Sequence, residues 1–354
     1  MQAGVVGMGI MGRLLALALH NAGWQVTLFD QSTGDTNCSQ AAAGLLTPFS
    51  ELDRANLLIS YLGQESIRVN WPHIIEQLST SIYFQRTGTI VLCYPQDQAE
   101  WTYFCQRIAN QITQSASYFN QLTKTTLRQL EPELTRFESA YYFPDEAHID
   151  CQSLISALKT YFDIKRLTCH INTEIISIAP KLITTKTNTH HFDIVFDSRG
   201  LGGYSTFNNL RALRGELIWL HAPEVQLQRP IRFLHPRYSL YIVPRPGNVY
   251  LVGASEIEAN DQSPISVRTT LELLTAVYYV HAGFAEARII KTVTHCRPTL
   301  ANHLPCIKFT EGLIAVNGLY RHGYLIAPAL AEEIIRSLSS HQSIRYPEIW
   351  ERLP

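Results

Sequence analysis

The sequence predicts an α/β plus α+β chain, in which a Rossmann-like dinucleotide-binding domain is interrupted by an inserted β-rich domain. Three observations carry this expectation. The chain opens as strand, Gly7-Met8-Gly9-Ile10-Met11-Gly12, helix, strand and then Asp30. A second glycine-rich turn, Asp197 to Gly203, follows another strand, Phe192 to Phe196, that is apolar except for Asp193. The stretches 81–144 and 206–294 are dominated by short runs of β character.

Each part of the opening has a physical reason. Val5 and Val6 enter a turn in which Gly7 permits the tight bend, Gly9 lets a backbone approach a pyrophosphate, and Gly12 lets helix and strand pack closely. Free N–H groups at the start of the Leu14–Leu19 helix would face a phosphate anion. Val26 to Phe29 form the second strand, and Asp30, 18 residues after Gly12, would accept hydrogen bonds from a ribose diol. The motif specifies a dinucleotide but does not choose between NAD and FAD.

Past a polar loop, Cys38 to Pro48 is a run of small residues that suits either a backbone lying against a flat ligand or a short Ala-rich helix. Glu51 to Leu78 reads as helix, with Leu57, Leu58, Tyr61 and Leu62 on its apolar face and an interruption at Trp71-Pro72. Ile82 to Tyr94 reads as a hairpin turning at Thr87-Gly88. Helices follow at Glu100–Ser115 and Leu127–Leu134, and Asp150 caps a third at Cys151–Tyr161. Three β runs lead to Phe192–Phe196. Four more lie at Glu216–Leu220, Ile231–Leu234, Leu240–Val243 and Val249–Val252. A helix at Ser266–Tyr279 and strands at Ile289–Val293 and Leu313–Val316 precede a last helix, Tyr324–Leu338, with Pro328 expected in its first turn. The expected division is 1–80, 145–205 and 295–354 for the dinucleotide domain, and 81–144 with 206–294 for the inserted one.

Composition excludes several classes. A formal charge of −1 and the lack of a basic run give no reason to expect nucleic acid or an anionic membrane. Seven cysteines, odd in number and without a C-x-x-C pair, argue against a disulfide framework or zinc site and suit a reducing cytoplasm. The apolar start lacks the basic region of a signal peptide, and no run reaches the roughly 18 apolar residues of a membrane span. The dispersed histidines suggest no metal site. A homo-oligomer is left open.

Candidate chemistry gathers toward the C-terminus, on the strand presenting Tyr238 and Tyr241, on Arg297 at a strand end, and on the Asn317–Gly323 loop. An arginine fork matches a carboxylate, and a buried one needs that anion or an acidic neighbour. Arg245 reads as a surface or interdomain ion pair.

In chain order, the glycine turn with Asp30, Ser39–Leu45 (SQAAAGL), Asp145–Asp150 (DEAHID), Tyr241–Arg245 (YIVPR), Val252-Gly253-Ala254, Cys296–Thr299 (CRPT) and Gly318–Pro328 (GLYRHGYLIAP) resemble the D-amino-acid oxidase/glycine oxidase family of FAD enzymes. The likeness runs nearly end to end and is strongest to thiamine-pathway glycine oxidases. It implies FAD, with the inserted domain binding substrate. It places Gly7, Gly9, Ile10, Met11, Gly12, Asp30 and Gln31 at the ADP end, and Cys38, Ser39, Ala43, Gly44 and Leu45 along the cofactor. Ile175 would approach the adenine through its backbone. Leu319, Tyr320, Arg321, His322, Gly323, Tyr324 and Leu325 would wrap the flavin. Arg297 falls on the carboxylate-binding arginine, Tyr241 on the substrate tyrosine and Arg321 on a second substrate-side arginine.

The implied reaction is oxidation of a small amino acid or amine by hydride transfer to flavin N5, with O2 as oxidant and an imine supplied to thiazole synthesis. Four positions depart from the family pattern. Tyr320 stands where histidine is common, His322 where asparagine is, and Asp197 where a small residue is. Cys296 lies near the site at which sarcosine-type oxidases attach flavin, though a buried small thiol is the simpler reading. Alternatives are a D-amino-acid or N-methylamino-acid oxidase or dehydrogenase using another acceptor, an NAD-binding dehydrogenase, and a non-catalytic dinucleotide-binding module.

Overall fold

The computed structural model describes residues 1–33, 37–94, 96–112, 118–235, 239–338 and 343–353. Gln2–Val6 pairs in parallel with Gln25–Phe29 on one side and Ile194–Asp197 on the other. Thr168–His170 and Leu313–Asn317 extend this parallel core, and Cys306–Thr310 with Trp350–Arg352 complete a seven-stranded sheet. The strands at its centre are apolar on both faces, and Val5, Leu28, Phe29, Val195 and Phe196 are almost wholly buried. Helices Ile10–Asn21, Leu57–Glu65, Cys151–Ile164 and Gly323–Ser337 supply the core packed against them.

A nine-stranded sheet forms the other large layer. Its long strands Arg211–His221 and Arg288–Thr299 pair antiparallel over almost their full length. Ser239–Arg245, Val249–Gly253, Ile231–Leu234 and Thr89–Cys93 lie alongside. Helix Val267–Val280 packs Leu273, Ala276, Val277 and Val280 into this core, whereas Leu271 is left exposed. No described helix is long and apolar enough to cross a membrane.

Several local expectations are corrected. Ile82–Tyr94 does not form a hairpin. Phe84–Gln85 pairs with Ala147–Ile149, whereas Thr89–Cys93 pairs with Ser139–Phe143 and Ile231–Leu234 in a different sheet. The Thr87-Gly88 bend therefore passes the chain between sheets, with Gly88 at φ +74°. In the 51–78 stretch, a π-helical turn at Ser66–Asn70 links Leu57–Glu65 to Trp71–Glu76, and Pro72 falls harmlessly in the first turn of the latter. Tyr61, expected on the apolar face, is exposed.

Pro328 lies inside its helix, which begins at Gly323, rather than in the first turn. A residue there would ordinarily donate its N–H to the Tyr324 carbonyl. That carbonyl accepts instead from Trp71 Nε1 at 3.1 Å. The second glycine turn is a 3-10 segment, Gly200–Gly203, lying directly behind the first: a Cβ at Gly7 would stand 2.7 Å from the Ser198 carbonyl oxygen. Asp197 pairs with Arg199 through two bonds, at 2.8 and 2.7 Å, which accounts for an acid at the end of a buried strand.

Candidate active site

A cavity of about 630 Å³ lies between the two large sheets, within the usual range for a site that engulfs a ligand. The opening turn contributes Gly7, Gly9, Ile10 and Met11 to its wall, with Asp30 and Gln31 beside them. Gly7 is at φ +97°, a conformation that favours glycine, and a Cβ at Gly12 would stand 1.9 Å from the Gly7 carbonyl oxygen. Gly12 thus lies behind the wall and lets the helix approach. Asp30 tightens the same turn, accepting from Met8 N at 2.6 Å and from Ser32 N and Oγ at 2.8 Å. The first helical turn leaves the Met11 and Gly12 amides without intrahelical acceptors, as an anion site requires.

Cys38, Ser39, Ala43, Gly44 and Leu45 form a further part of the wall. Both readings of this run hold in part, since Cys38–Ala41 is a short helix capped by Asn37 and the chain is extended beyond it. Ser39 Oγ accepts from Ile10 N at 2.8 Å, and its carbonyl accepts from Tyr324 Oη at 2.9 Å. One residue thereby ties the first turn of the chain to the last helix. Burial pushes the Cys38 thiol up to about 11 despite the nearby Arg297, so it stays protonated at neutral pH.

Arg245 is not the expected ion pair. It is buried, and its guanidinium donates to the carbonyls of Ala43 at 2.5 Å, Ile149 at 2.8 Å and Pro244 at 3.0 Å. Its last partner is His148 Nδ1 at 3.0 Å, on a ring that burial holds neutral with a value near 3. The arginine fixes the Ala43–Gly44 wall to a strand of each neighbouring sheet.

The nine-stranded sheet presents Tyr241 and Arg297 to the cavity. Arg297 donates from Nη1 to the Ser255 carbonyl at 3.1 Å and has no carboxylate within ion-pair distance among the described residues. Its guanidinium rests on Gly215, where a Cβ would stand 2.4 Å from Nη2. Tyr241 crosses Gly253 in the same manner, a Cβ there standing 3.0 Å from its hydroxyl. Burial keeps that hydroxyl above the ordinary phenol range, hence protonated.

Leu319 to Leu325 close the wall. Tyr320 adopts φ +52° and sets its ring against His303, centroids 4.9 Å apart. Arg321 lies 3.4 Å from Glu51 through Nε. His322 is held near 3, first by burial and then by Arg321, and so is neutral. Cys296 is buried and directs its thiol to the carbonyls of Ala259 and Asp261, at 3.5 and 3.4 Å.

Of the twenty-two site residues expected from sequence, twenty line the cavity; the exceptions are Gly12, behind the turn, and Ile175, which opens the strand Ile175–Ala179 of a small separate sheet. Tyr238 lies outside the described residues. Glu51, Arg54, Gly215 and Glu256 line the cavity without having been singled out. Gly215 carried a signal, because an isolated glycine inside a strand marks a close approach. Glu51 and Arg54 carried none.

A glycine turn with free amides, an acid behind it and a long cavity reaching an unpaired arginine fit an extended dinucleotide with room for a small anion. The family model described as DAO, FAD dependent oxidoreductase, matches residues 2–337. The "Putative thiamine biosynthesis oxidoreductase ThiO" of Rhizobium etli is 33% identical over 340 residues, 96% of each chain. Glycine oxidase of Geobacillus kaustophilus is 24% identical over 343 residues, 92% of this chain and 89% of that protein. A crystal structure of glycine oxidase from that organism shares the fold, with a TM-score of 0.84 at 21% identity over 97% of this chain and 95% of the other. The cofactor is therefore FAD rather than NAD, and the chain belongs to the DAO family of FAD-dependent oxidoreductases.

Proposed function

We propose that the chain catalyses oxidative deamination of glycine or another small amino acid or amine. The observation that carries this reading is Arg297, a guanidinium on the cavity wall with no acidic partner among the described residues, next to the protonated hydroxyl of Tyr241. Such a fork is completed by a ligand carboxylate. Arg297 clamps that carboxylate, Tyr241 steers it, and Arg321 is the second substrate-side arginine. Together they fix the Cα–H of the neutral amine toward the cofactor, so that positioning carries the catalysis.

Bound FAD supplies the hydride acceptor, N5, and O2 the final oxidant. The chain's own residues hold the ADP end through Gly7, Gly9, Ile10, Met11, Gly12, Asp30 and Gln31, with Ile175 near the adenine. Cys38, Ser39, Ala43, Gly44 and Leu45 run along the cofactor. Leu319 to Leu325 would close around the ring and bring the Arg321 charge near it, where positive potential favours its reduced form. On this reading 1–80, 145–205 and 295–354 form the FAD domain, and 81–144 with 206–294 the substrate domain. The setting is cytoplasmic, and the similarity to a thiamine biosynthesis oxidoreductase supports an imine product used in thiazole synthesis.

The test is an anaerobic screen of small amino acids against the FAD-loaded protein. Glycine should bleach the visible flavin band and D-alanine should not. A band that no amino acid bleaches, in protein still reducible by dithionite, would contradict the proposal.

A further inference from the structure

The loop carrying Glu51 is held from behind by buried charges. Glu146, fully buried, accepts from Phe49 N at 2.9 Å, Ser50 N at 2.6 Å and Ser50 Oγ at 2.7 Å. Arg232 donates to the Ser50 carbonyl and pairs with Asp53 at 2.8 and 3.0 Å. The Glu51 side chain, 14% exposed, is left on the cavity wall opposite Arg321.

That pairing is a charge balance without a hydrogen bond. Glu51 Oε2 is 3.4 Å from Arg321 Nε and 3.9 Å from His322 Nδ1, and the carboxylate receives no hydrogen bond among the described residues. Arg321 Nε and Nη2 are buried and likewise without a hydrogen-bond acceptor. Burial alone would raise the Glu51 carboxyl, but Arg321 leads a set of cations that outweighs it and holds the group below its ordinary value. The other charges near this end of the cavity offset one another: Arg268 pairs with Glu272 at 3.5 Å, and the cations Arg54 and Arg232 are set against Asp53, 3.7 Å from Arg54 and paired with Arg232, and Glu256, which acts on Arg54 from farther off. Near Arg297 and Arg321 there is thus one uncompensated positive charge, enough for one ligand carboxylate.

We propose that Glu51 is the specificity-determining residue of the substrate site: its carboxylate accepts the amine N–H of the substrate and cancels Arg321, so the site takes amino acids with one carboxylate and excludes those with a second on the side chain or on nitrogen. This rests on the reading of Arg297 as carboxylate clamp. The excluding element is repulsive, a fixed anion where the second carboxylate would lie.

Two redox-inert ethers test it by calorimetry on the FAD-loaded protein: methoxyacetate, with one carboxylate, and diglycolate, with two. Wild type should bind methoxyacetate at least tenfold more tightly. In Glu51→Gln, Arg321 is released and the ratio should fall to one or invert. Adding Arg321→Gln to that variant should abolish the gain for diglycolate. A ratio that Glu51→Gln leaves unchanged overturns the proposal. If Glu51→Gln does not retain FAD, the wild-type ratio decides, and diglycolate binding as tightly as methoxyacetate overturns it. Arg297→Ala reports separately on the clamp, since it should weaken both ligands; if it weakens neither, the clamp reading falls and this proposal with it.

Discussion

Arg297 and Gly215 sit diagonally across the antiparallel pair Arg211–His221 and Arg288–Thr299, with the guanidinium lying over the glycine where any side chain would collide. The register pairs Gly215 with His295 and Leu213 with Arg297. The glycine is therefore a seat for the arginine. Gly215→Ala places a methyl 2.4 Å from Nη2, the movable end of a long side chain. The protein should fold with nearly unchanged stability, while methoxyacetate affinity falls by about tenfold, a loss of about 1.4 kcal/mol. Unfolding curves and calorimetric titration measure the two effects, and an unchanged affinity would show that the seat does not set the guanidinium.

Trp71 and Pro328 form a compensating pair. The proline removes a donor from the Tyr324 carbonyl, and the indole replaces it at 3.1 Å. Trp71→Phe should destabilise the fold by about 1–3 kcal/mol for the stranded carbonyl, in addition to any loss of packing. In a Pro328→Ala background the helix can supply its own N–H to that carbonyl, so the same substitution should cost measurably less. A double-mutant cycle by urea unfolding reads this coupling. Strict additivity would contradict the compensation.

Glu146 gives stability a pH dependence of stated sign. Burial outweighs the hydrogen bonds from Ser50 and Phe49 and lifts its carboxyl from 4.5 to about 7. The folded value exceeds the unfolded one, so the folded state binds the proton more tightly. The contribution is fully present below about 4.5 and is lost as pH rises through about 7. Glu146→Gln should remove that decline, so wild type loses stability relative to the variant between about pH 5 and 7.5. His148 and His322, both held near 3 by burial, add an opposite slope to each protein and cancel in the difference. A difference that grows with pH in favour of wild type would reverse the assignment.

The parts of the fold legible in sequence are those that local chemistry dictates. Gly7 and Gly12 are required by a positive φ and a backbone contact, and Ile194–Phe196 is apolar because its sheet is covered on both faces. The Ile82–Tyr94 hairpin failed because its two halves pair with strands distant in sequence, which no local period records. Pro328 was misplaced because the residue that tolerates it, Trp71, bonds to a carbonyl 253 residues away. Arg245 was read as an ion pair because an arginine usually finds an acid, whereas here carbonyl oxygens receive it. In the site, Tyr241, Arg297 and the Asn317–Gly323 loop that holds Arg321 stood out in the sequence as unusual combinations, but the role of each came from the resemblance. Glu51 escaped notice because a single acid at the edge of a helical stretch carries no mark of its function.

The central claim is that Arg297 holds the substrate carboxylate. The direct measurement is the steady-state KM for glycine of wild type and Arg297→Ala, with bound flavin determined in the same samples. Losing the charged clamp of a desolvated carboxylate should raise KM by roughly 100-fold while the flavin content is retained. An unchanged KM in flavin-replete Arg297→Ala would contradict the assignment.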